Sequence, residues 1–113
     1  MNKREVGGRQ EEAAAAYLAN LGYRLVERNY RCARGEIDLI CRHGRYLVFV
    51  EVKYRADEGK GSPFEAVDSR KQGRIRPTAE YYLYSHGLPE DTPCRFDVVG
   101  ILGENVEVME NAF

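Results

Sequence analysis

The stretch of sequence that decides the fold is YLVFVEVKYR, residues 46–55. Its first half is apolar or aromatic, and its second half alternates charged residues with Val52 and Tyr54. This pattern is typical of a β-strand that leaves the core near its end. Glu51 and Lys53 are two residues apart and therefore share a face of the strand. They form either a solvated surface pair or one half of an active site.

A hairpin is predicted to contain this strand. Residues 36–42 form another strand-like run, and the His-Gly pair at 43–44 is a tight-turn candidate between the two runs. With the turn centred there, Asp38 faces Phe49 across the hairpin. A shift of the register by one residue would move Asp38 to the other face.

The two faces of this hairpin are predicted to differ in polarity. One face is apolar and is expected to be core: it carries Ile37, Leu39, Cys41, Tyr46, Val48, Val50 and Val52. The other is mixed: it carries Glu36, Asp38, Ile40, Leu47, Phe49, Glu51 and Lys53. In this register Glu36 faces Glu51, which costs stability unless a positive group lies between the two acids. Lys53 or a divalent cation could supply that positive charge.

The rest of the chain predicts an α-β-β-β-α-β order with a weak final strand. Helices are expected at 8–21 and 69–86, a helix start at 62–65, and strands at 23–30, 36–42, 45–55, 94–102 and 106–109. Gly22 is expected to end the first helix, and Pro77 to kink or split the second. Because a helix precedes the fourth strand, that strand can pair in parallel with an earlier one. The predicted fold class is α/β, a mixed sheet flanked by helices in a single domain over residues 1–113.

Composition limits the class of protein. The chain has 113 residues, of which 31% are charged, and it has no apolar run near the roughly 20 residues of a membrane span. The polar N-terminus lacks the apolar stretch of a signal peptide, so we expect a cytoplasmic protein with no membrane partner. Cys32, Cys41 and Cys94 lack CxxC spacing, which predicts neither disulfides nor a zinc site.

Charge is distributed unevenly along the chain. Residues 1–76 contain 16 Lys and Arg against 11 Asp and Glu, whereas residues 77–113 contain one Arg against seven acids. Arg supplies 13 of the 17 basic residues, and its planar guanidinium suits phosphate. The first part can therefore present a basic face to nucleic acid, although ordinary surface charge explains the same distribution equally well. The acidic final third would also suit a protein partner.

Asp38 and Glu51 at the end of the hairpin offer oxygen ligands. Carboxylates converging at a strand end suit Mg²⁺ or Mn²⁺. Such a metal can orient and activate a water for attack on a phosphodiester, and Lys53 could stabilise charge on the phosphate. The pattern therefore fits metal-dependent phosphodiester hydrolysis, while a solvent-facing strand explains Glu51 and Lys53 alone.

Several motifs together carry a family resemblance. They are Glu11-x-x-Ala14-x-x-Tyr17-Leu18, Gly22-Tyr23, Asn29-Tyr30-Arg31, Gly35-Glu36-Ile37-Asp38-Leu39-Ile40, Phe49-Val50-Glu51-Val52-Lys53-x-Arg55, Gly61-x-Pro63-x-Glu65-Ala66-Val67, Lys71-Gln72, Arg95-Phe96-Asp97-Val98-Val99 and Asn111-Ala112-Phe113. With them the chain resembles the YraN-like family of small uncharacterised bacterial proteins. It is similar to archaeal Holliday junction resolvases and to the PD-(D/E)xK superfamily, whose fold is restriction-endonuclease-like. The resemblance covers nearly the whole chain.

The resemblance implies a set of site residues. Asp38, Glu51 and Lys53 match the catalytic positions, and Glu11 would join Asp38 and Glu51 as a metal ligand. Glu11 is equally well explained as an acid favoured by the dipole at a helix N-terminus. Nucleic-acid contacts are predicted for Arg55, Lys71, Gln72 and Arg74.

The resemblance also implies an activity and partners. The expected function is a Mg²⁺- or Mn²⁺-dependent endonuclease that acts on branched or structured DNA. The alternative is a catalytically weak or inactive nucleic-acid-binding module within a DNA-processing assembly. Resolvases also suggest a homodimer.

Overall fold

The order of helices and strands in the structure is the predicted one. The computed structural model describes residues 3–57, 59 and 69–113, with side chains described for 8–57, 59 and 73–113. The elements are α1 Lys3–Asn20, β1 Arg24–Cys32, β2 Gly35–His43, β3 Tyr46–Arg55, α2 Ser69–Ser85, β4 Cys94–Leu102 and β5 Asn105–Met109. The helix start predicted at 62–65 lies outside the described residues. The α/β class and the α-β-β-β-α-β order are confirmed.

The strands form one mixed sheet in the order β1-β2-β3-β4-β5. Strands β1, β2 and β3 pair antiparallel, β3 and β4 pair in parallel, and β5 returns antiparallel to β4. The connection that contains α2 is the crossover that a parallel pair requires. Strand β3 is therefore central, with β2 on one side and β4 on the other.

Glycines end both helices, as predicted. Gly22 follows α1 with φ +91°, where a residue without a Cβ is favoured. Its N–H donates to the Ala19 carbonyl, and the Tyr23 N–H donates to the Leu18 carbonyl. These two bonds form a Schellman motif, which satisfies the last carbonyls of the helix. Gly87 ends α2 in the same way.

Two helix predictions are corrected. Helix α1 begins at Lys3, before the first periodic apolar residue, and its first turn carries Lys3, Arg4 and Glu5, which have good helix propensity. Helix α2 is not split at Pro77 but runs from Ser69 to Ser85. The Thr78 hydroxyl donates to the Arg74 carbonyl at 2.8 Å within this turn, and the packing of α2 on the sheet compensates for the donor that Pro77 lacks.

The sheet has a hydrophobic cluster on each side. The cluster under α1 contains Ala14, Leu18, Tyr23, Leu39, Cys41, Val48, Val50, Val99 and Ile101. The cluster under α2 contains Ile37, Ile40, Leu47, Phe49, Ile75, Ala79, Tyr82 and Leu83. Burial raises the pKa of the Cys41 thiol to about 11, so this cysteine is a core residue as predicted. Neither helix in the described part of the chain is long and apolar enough to cross a bilayer.

The predicted hairpin register is wrong by two residues. Leu39 pairs with Val50 and His43 with Tyr46, so the turn is Gly44-Arg45 rather than His43-Gly44. Gly44 has φ +59° at the first central position, the place for glycine in a type II′ turn. A shift of two residues preserves the predicted alternation of faces, whereas a shift of one would have reversed it.

The observed register changes which acid of β2 lies across from Glu51. The last described pair of β2 and β3 is Leu39 with Val50, so Asp38 rather than Glu36 is level with Glu51. The like-charge pair predicted between Glu36 and Glu51 is therefore wrong. Glu36 instead forms an exposed ion pair with Arg31 on β1, with 3.1 Å between Oε2 and Nε.

The alternation of side chains is interrupted where β1 and β2 pass Asp38. Ile37 was predicted on the face of Leu39 but packs in the α2 cluster, together with its β1 partner Tyr30. Asn29, immediately before Tyr30 and across from Asp38, has φ +52°, so the backbone of β1 leaves the β region there. The regular alternation of an extended strand does not hold through a residue in that conformation.

A buried network of polar side chains lies near the hairpin turn, on the side of the sheet that α1 covers. The Asp97 carboxylate is fully buried and accepts hydrogen bonds from the Arg95 guanidinium, the Tyr23 hydroxyl and the Asn111 backbone N–H. Arg95 Nη2 also donates to His43 Nδ1 at 2.8 Å, because a guanidinium has no acceptor to offer. The network joins β2 and β4 to Tyr23, just before β1, and to Asn111, after β5.

Gly35 at the start of β2 is predicted to be required for full stability. Its φ is +153°, and a Cβ built on it would lie 2.9 Å from the Thr78 hydroxyl oxygen on α2. Gly35→Ala should lower the free energy of unfolding by about 1–3 kcal/mol in urea denaturation, through backbone strain and this clash. Gly8→Ala is the matched control, because Gly8 lies in α1 with open space around it, and it should stabilise by about 0.5–1 kcal/mol. If Gly35→Ala were as stable as Gly8→Ala, the close approach of α2 to β2 at Gly35 would be contradicted.

Candidate active site

Asp38 is bonded directly to strand β3. Its Oδ2 accepts a hydrogen bond of 2.8 Å from the Val52 backbone N–H, which belongs to the peptide group between Glu51 and Val52. The last described β2–β3 pair is Leu39 with Val50, so the Asp38 carboxylate accepts a backbone N–H just beyond the end of the backbone ladder. A side chain that replaces a ladder acceptor is fixed in position by the sheet itself.

Glu51 and Lys53 lie on the central strand at the same end of the sheet. Glu51 is only 3% exposed, which is unusual for a carboxylate and indicates a constrained position. The Lys53 Nζ lies 4.0 Å from Glu51 Oε2, and the lysine side chain is 21% exposed. Lys53 pairs with Gly100 on β4, a residue without a side chain to cover it. The ammonium group thus lies between a buried acid and the solvent.

Glu11 on α1 belongs to the same region. Partial burial raises the pKa of its carboxyl, and the negative charges of Asp38 and Glu36 raise that pKa further. A hydrogen bond from Asn29 and the charge of Arg28 act in the opposite direction. The Glu11 carboxyl is therefore within electrostatic range of Asp38.

Asn29 is a residue whose role the sequence analysis missed. It lies between the pairs Arg28–Leu39 and Tyr30–Ile37, directly across β1 and β2 from Asp38. Its left-handed backbone is one that asparagine tolerates better than most residues, and its side chain is hydrogen-bonded to the Glu11 carboxylate. The available signal was the Asn29-Tyr30-Arg31 motif, which by itself does not reveal the bond. Asn29 therefore links Glu11 on α1 to the strand position across from Asp38.

Comparison with known proteins assigns the chain to a family. A family model described as uncharacterised protein family UPF0102 matches residues 10–101, a segment that contains Glu11, Asp38, Glu51 and Lys53. The chain belongs to UPF0102. It is 54% identical to a UPF0102 protein of Lachnoclostridium phytofermentans over 113 residues, covering 100% of this chain and 96% of the relative.

Other members of UPF0102 match over similar lengths. A UPF0102 protein of Moorella thermoacetica is 47% identical over 119 residues, which cover 100% of this chain and 98% of the relative. One of Shewanella oneidensis is 46% identical over 108 residues, which cover 96% and 98%. The matches therefore cover nearly the whole length of these three UPF0102 relatives.

Two of the four predicted nucleic-acid contacts of this UPF0102 protein, Arg55 and Arg74, have described side chains. Arg55 ends β3, and its Nη1 donates to the Tyr54 carbonyl at 3.0 Å. Exposed Arg74 lies on α2 against Gly35, at the start of the strand that carries Asp38. The structure places Lys71 and Gln72 in the first turns of α2, but their side chains lie outside the described set.

The carboxylates of the site suit a hard divalent cation that is bound by few protein ligands. Among the described side chains, no group of three or more His, Cys, Asp and Glu residues is gathered closely enough to hold a metal ion. Mg²⁺ does not need such a cage, because it commonly uses one or two carboxylates and completes its shell with water and substrate phosphate. Asp38 and Glu51 offer those carboxylates on adjacent strands, with Glu11 nearby.

Glu11→Gln is predicted to raise the stability of the metal-free protein and to weaken its binding of metal. The raised pKa means that the folded protein holds the Glu11 proton more tightly than the unfolded chain, so this contribution to stability falls as pH rises through the interval between the two pKa values. At neutral pH the neutral Gln should therefore stabilise the metal-free protein, by about 0.5 kcal/mol for a partly exposed charge. The stabilisation gained on adding Mn²⁺, measured by thermal unfolding, should be smaller than in wild type.

Glu12→Gln is the matched control for this prediction. Glu12 is the next residue of α1 and is exposed. It should change neither the stability of the metal-free protein nor its response to Mn²⁺ appreciably. Identical behaviour of the two variants would show that Glu11 does not interact with Asp38.

Proposed function

We propose that this UPF0102 protein is a Mg²⁺- or Mn²⁺-dependent endonuclease of the PD-(D/E)xK type. The observation that carries the proposal is the Asp38 carboxylate fixed to β3 beside buried Glu51, with Lys53 4.0 Å from that acid. Surface charge alone would not require a buried acid or a carboxylate within the strand ladder. The α-β-β-β-α-β order also fits a restriction-endonuclease-like core.

The residues have distinct roles in the proposed reaction. Asp38 and Glu51 would hold the cation with the help of Glu11, and the cation would polarise the phosphate and activate a water. The Val52 N–H fixes the orientation of Asp38, and Asn29 fixes that of Glu11. Lys53 would neutralise charge on the phosphate as the water oxygen bonds to phosphorus and the water releases a proton to solvent. The bond between phosphorus and the sugar oxygen would then break, and that oxygen would take up a proton from solvent.

The proposed substrate is branched or structured DNA. Its class follows from the similarity to archaeal Holliday junction resolvases, and Arg55, Lys71, Gln72 and Arg74 are the proposed phosphate contacts. A guanidinium offers paired donors to phosphate oxygens. Arg74 lies at the same end of the sheet as Asp38, since its helix contacts Gly35.

The second candidate is a nuclease-fold module that binds DNA without cutting it efficiently. The observation that favours it is the lack of a preformed three-ligand group among the described side chains. In that case Lys53 would neutralise Glu51 without a metal, since the two groups already interact. Such a module would act within a DNA-processing assembly.

One assay distinguishes the two functions. Purified protein is incubated with branched, single-stranded and duplex DNA in Mg²⁺ or Mn²⁺, beside Lys53→Ala and Asp38→Ala. We expect wild type to cut the branched DNA and both variants to lose cutting by about 10³-fold. Cutting that survives both substitutions would point to a contaminant and refute the catalytic proposal. Binding of branched DNA without cutting would support the module instead.

A further inference from the structure

The outer side of α2 carries two exposed aromatic rings that have no part in the core. Tyr84 is 81% exposed and Tyr81 41% exposed, with their ring centroids 6.4 Å apart. Helix α2 packs on the sheet through a different side, which contains Tyr82 and Leu83. Large exposed aromatic side chains on a rigid helix are characteristic of protein interfaces.

Tyr84 separates two concavities. One has a volume of about 660 Å³ and is lined by Glu80, Leu83, Tyr84, Gly87, Leu88 and Glu90. The other has a volume of about 340 Å³ and is lined by Arg34, Glu80, Tyr81, Tyr84 and Glu90. We call these residues together the Tyr84 surface. Each concavity is large enough to take a side chain of a partner, and both are bordered by the same two glutamates.

The backbone beneath Tyr84 is held by the capped end of α2. The Leu88 N–H donates to the Leu83 carbonyl at 2.9 Å, and the Gly87 N–H donates to the Tyr84 carbonyl at 3.2 Å. With Gly87 at φ +66° these bonds form a second Schellman motif, and Leu88 packs against the α2 cluster. A surface that is already ordered loses little entropy when a partner binds.

Charge selects the kind of partner. Glu80 and Glu90 are exposed and border both concavities, while Arg34 is the one basic lining residue among those described. Two acids beside the rings repel nucleic-acid phosphate. A second copy that used the same surface would bring two more acids and one Arg, so it would not complement the charge of Glu80 and Glu90. A basic protein segment complements the surface instead.

We propose that the Tyr84 surface docks a segment of another protein in which an apolar or aromatic side chain lies next to Lys or Arg. The apolar side chain would enter the concavity between Tyr84 and Leu88, and the basic group would pair with Glu80 and Glu90. The proposal is independent of the nuclease function, because none of these residues belongs to the candidate active site.

Selection from a random peptide library on the full-length protein tests this. We expect the enriched peptides to combine an apolar anchor with net positive charge, and one of them is then measured by fluorescence anisotropy. Its affinity should fall about tenfold or more in Tyr84→Ala and in the double variant Glu80→Lys/Glu90→Lys. Glu104→Lys/Glu107→Lys is the matched control, because it makes the same charge change at exposed positions of the β4–β5 hairpin. It should leave the affinity unchanged.

Several results would overturn the proposal. They include enrichment of acidic or uncharged peptides, no enrichment at all, and equal binding by the two double variants. A wild-type dimer that dissociates in Tyr84→Ala would assign the surface to a second copy. Binding of a fluorescent single-stranded oligonucleotide that is lost in Tyr84→Ala would assign it to nucleic acid. Circular dichroism of each variant establishes that the comparison is between folded proteins.

Discussion

Glu51→Gln is expected to abolish metal-dependent cleavage, with a loss of at least about 10³-fold in rate. The substitution preserves the size of a side chain that is 3% exposed, so the local packing has no reason to collapse. It removes the negative charge that would hold the cation beside Asp38 and interact with Lys53. Cleavage of branched DNA and Mn²⁺ binding by calorimetry are the two measurements, and both should fail together.

Glu107→Gln is the matched control for Glu51→Gln. Glu107 lies on β5 opposite Gly100, two strands from Glu51, and is exposed. It should retain the activity and metal affinity of wild type. If Glu51→Gln keeps its metal affinity but loses cleavage, Glu51 does not bind the cation and the proposed division of roles is wrong. If it keeps both, the site is elsewhere.

Asp97→Ala is expected to lower the free energy of unfolding by about 3–5 kcal/mol, the range for removal of one partner from a buried ion pair. The carboxylate is fully buried, and its loss removes the charged partner of the Arg95 guanidinium and the nearest acceptor of the Tyr23 hydroxyl. Although burial opposes the charge of Arg95, the Asp97 carboxylate holds the pKa of that guanidinium above its usual value. Urea denaturation measures the loss, which is a large part of the stability of a typical domain.

Asp91→Ala provides the comparison for Asp97→Ala. Asp91 is exposed in the loop before β4, and its replacement should change stability by no more than about 0.5 kcal/mol. Asp97→Asn keeps one oxygen acceptor and should fall between the two. A loss below about 1 kcal/mol for Asp97→Ala would mean that the network relaxes around the missing carboxylate and is not a structural anchor.

Much of the fold was predictable because strong local signals agree. The apolar run of β3 is too continuous for an exposed strand, and Gly22 and Gly87 stand where the two helices end. The hairpin register was not predictable in detail, because it depends on the place of Gly44 within the turn. Glycine at the first central position gives a type II′ turn, and that choice moves every partner by two residues.

The candidate site was predictable in part for a similar reason. Strand periodicity and family resemblance together select Asp38, Glu51 and Lys53, but they cannot identify Asn29. Its position depends on an irregularity between Leu25 and Glu27 that adds one residue to β1. Without that residue Asn29 would face Ile37 rather than Asp38. A bulge is visible only when both strands are placed, so the link from Asn29 to Glu11 emerges from the structure alone.

The bond between Asp38 and the Val52 N–H also has a consequence for the order of folding. Asp38 and Glu51 belong to one short hairpin, whose strands are neighbours in sequence and can pair within microseconds. Glu11 lies at the far end of the chain on α1 and can reach these acids only after that helix docks on the sheet. We therefore expect the proposed cation site to reach its full affinity only in the state in which α1 is docked on the sheet.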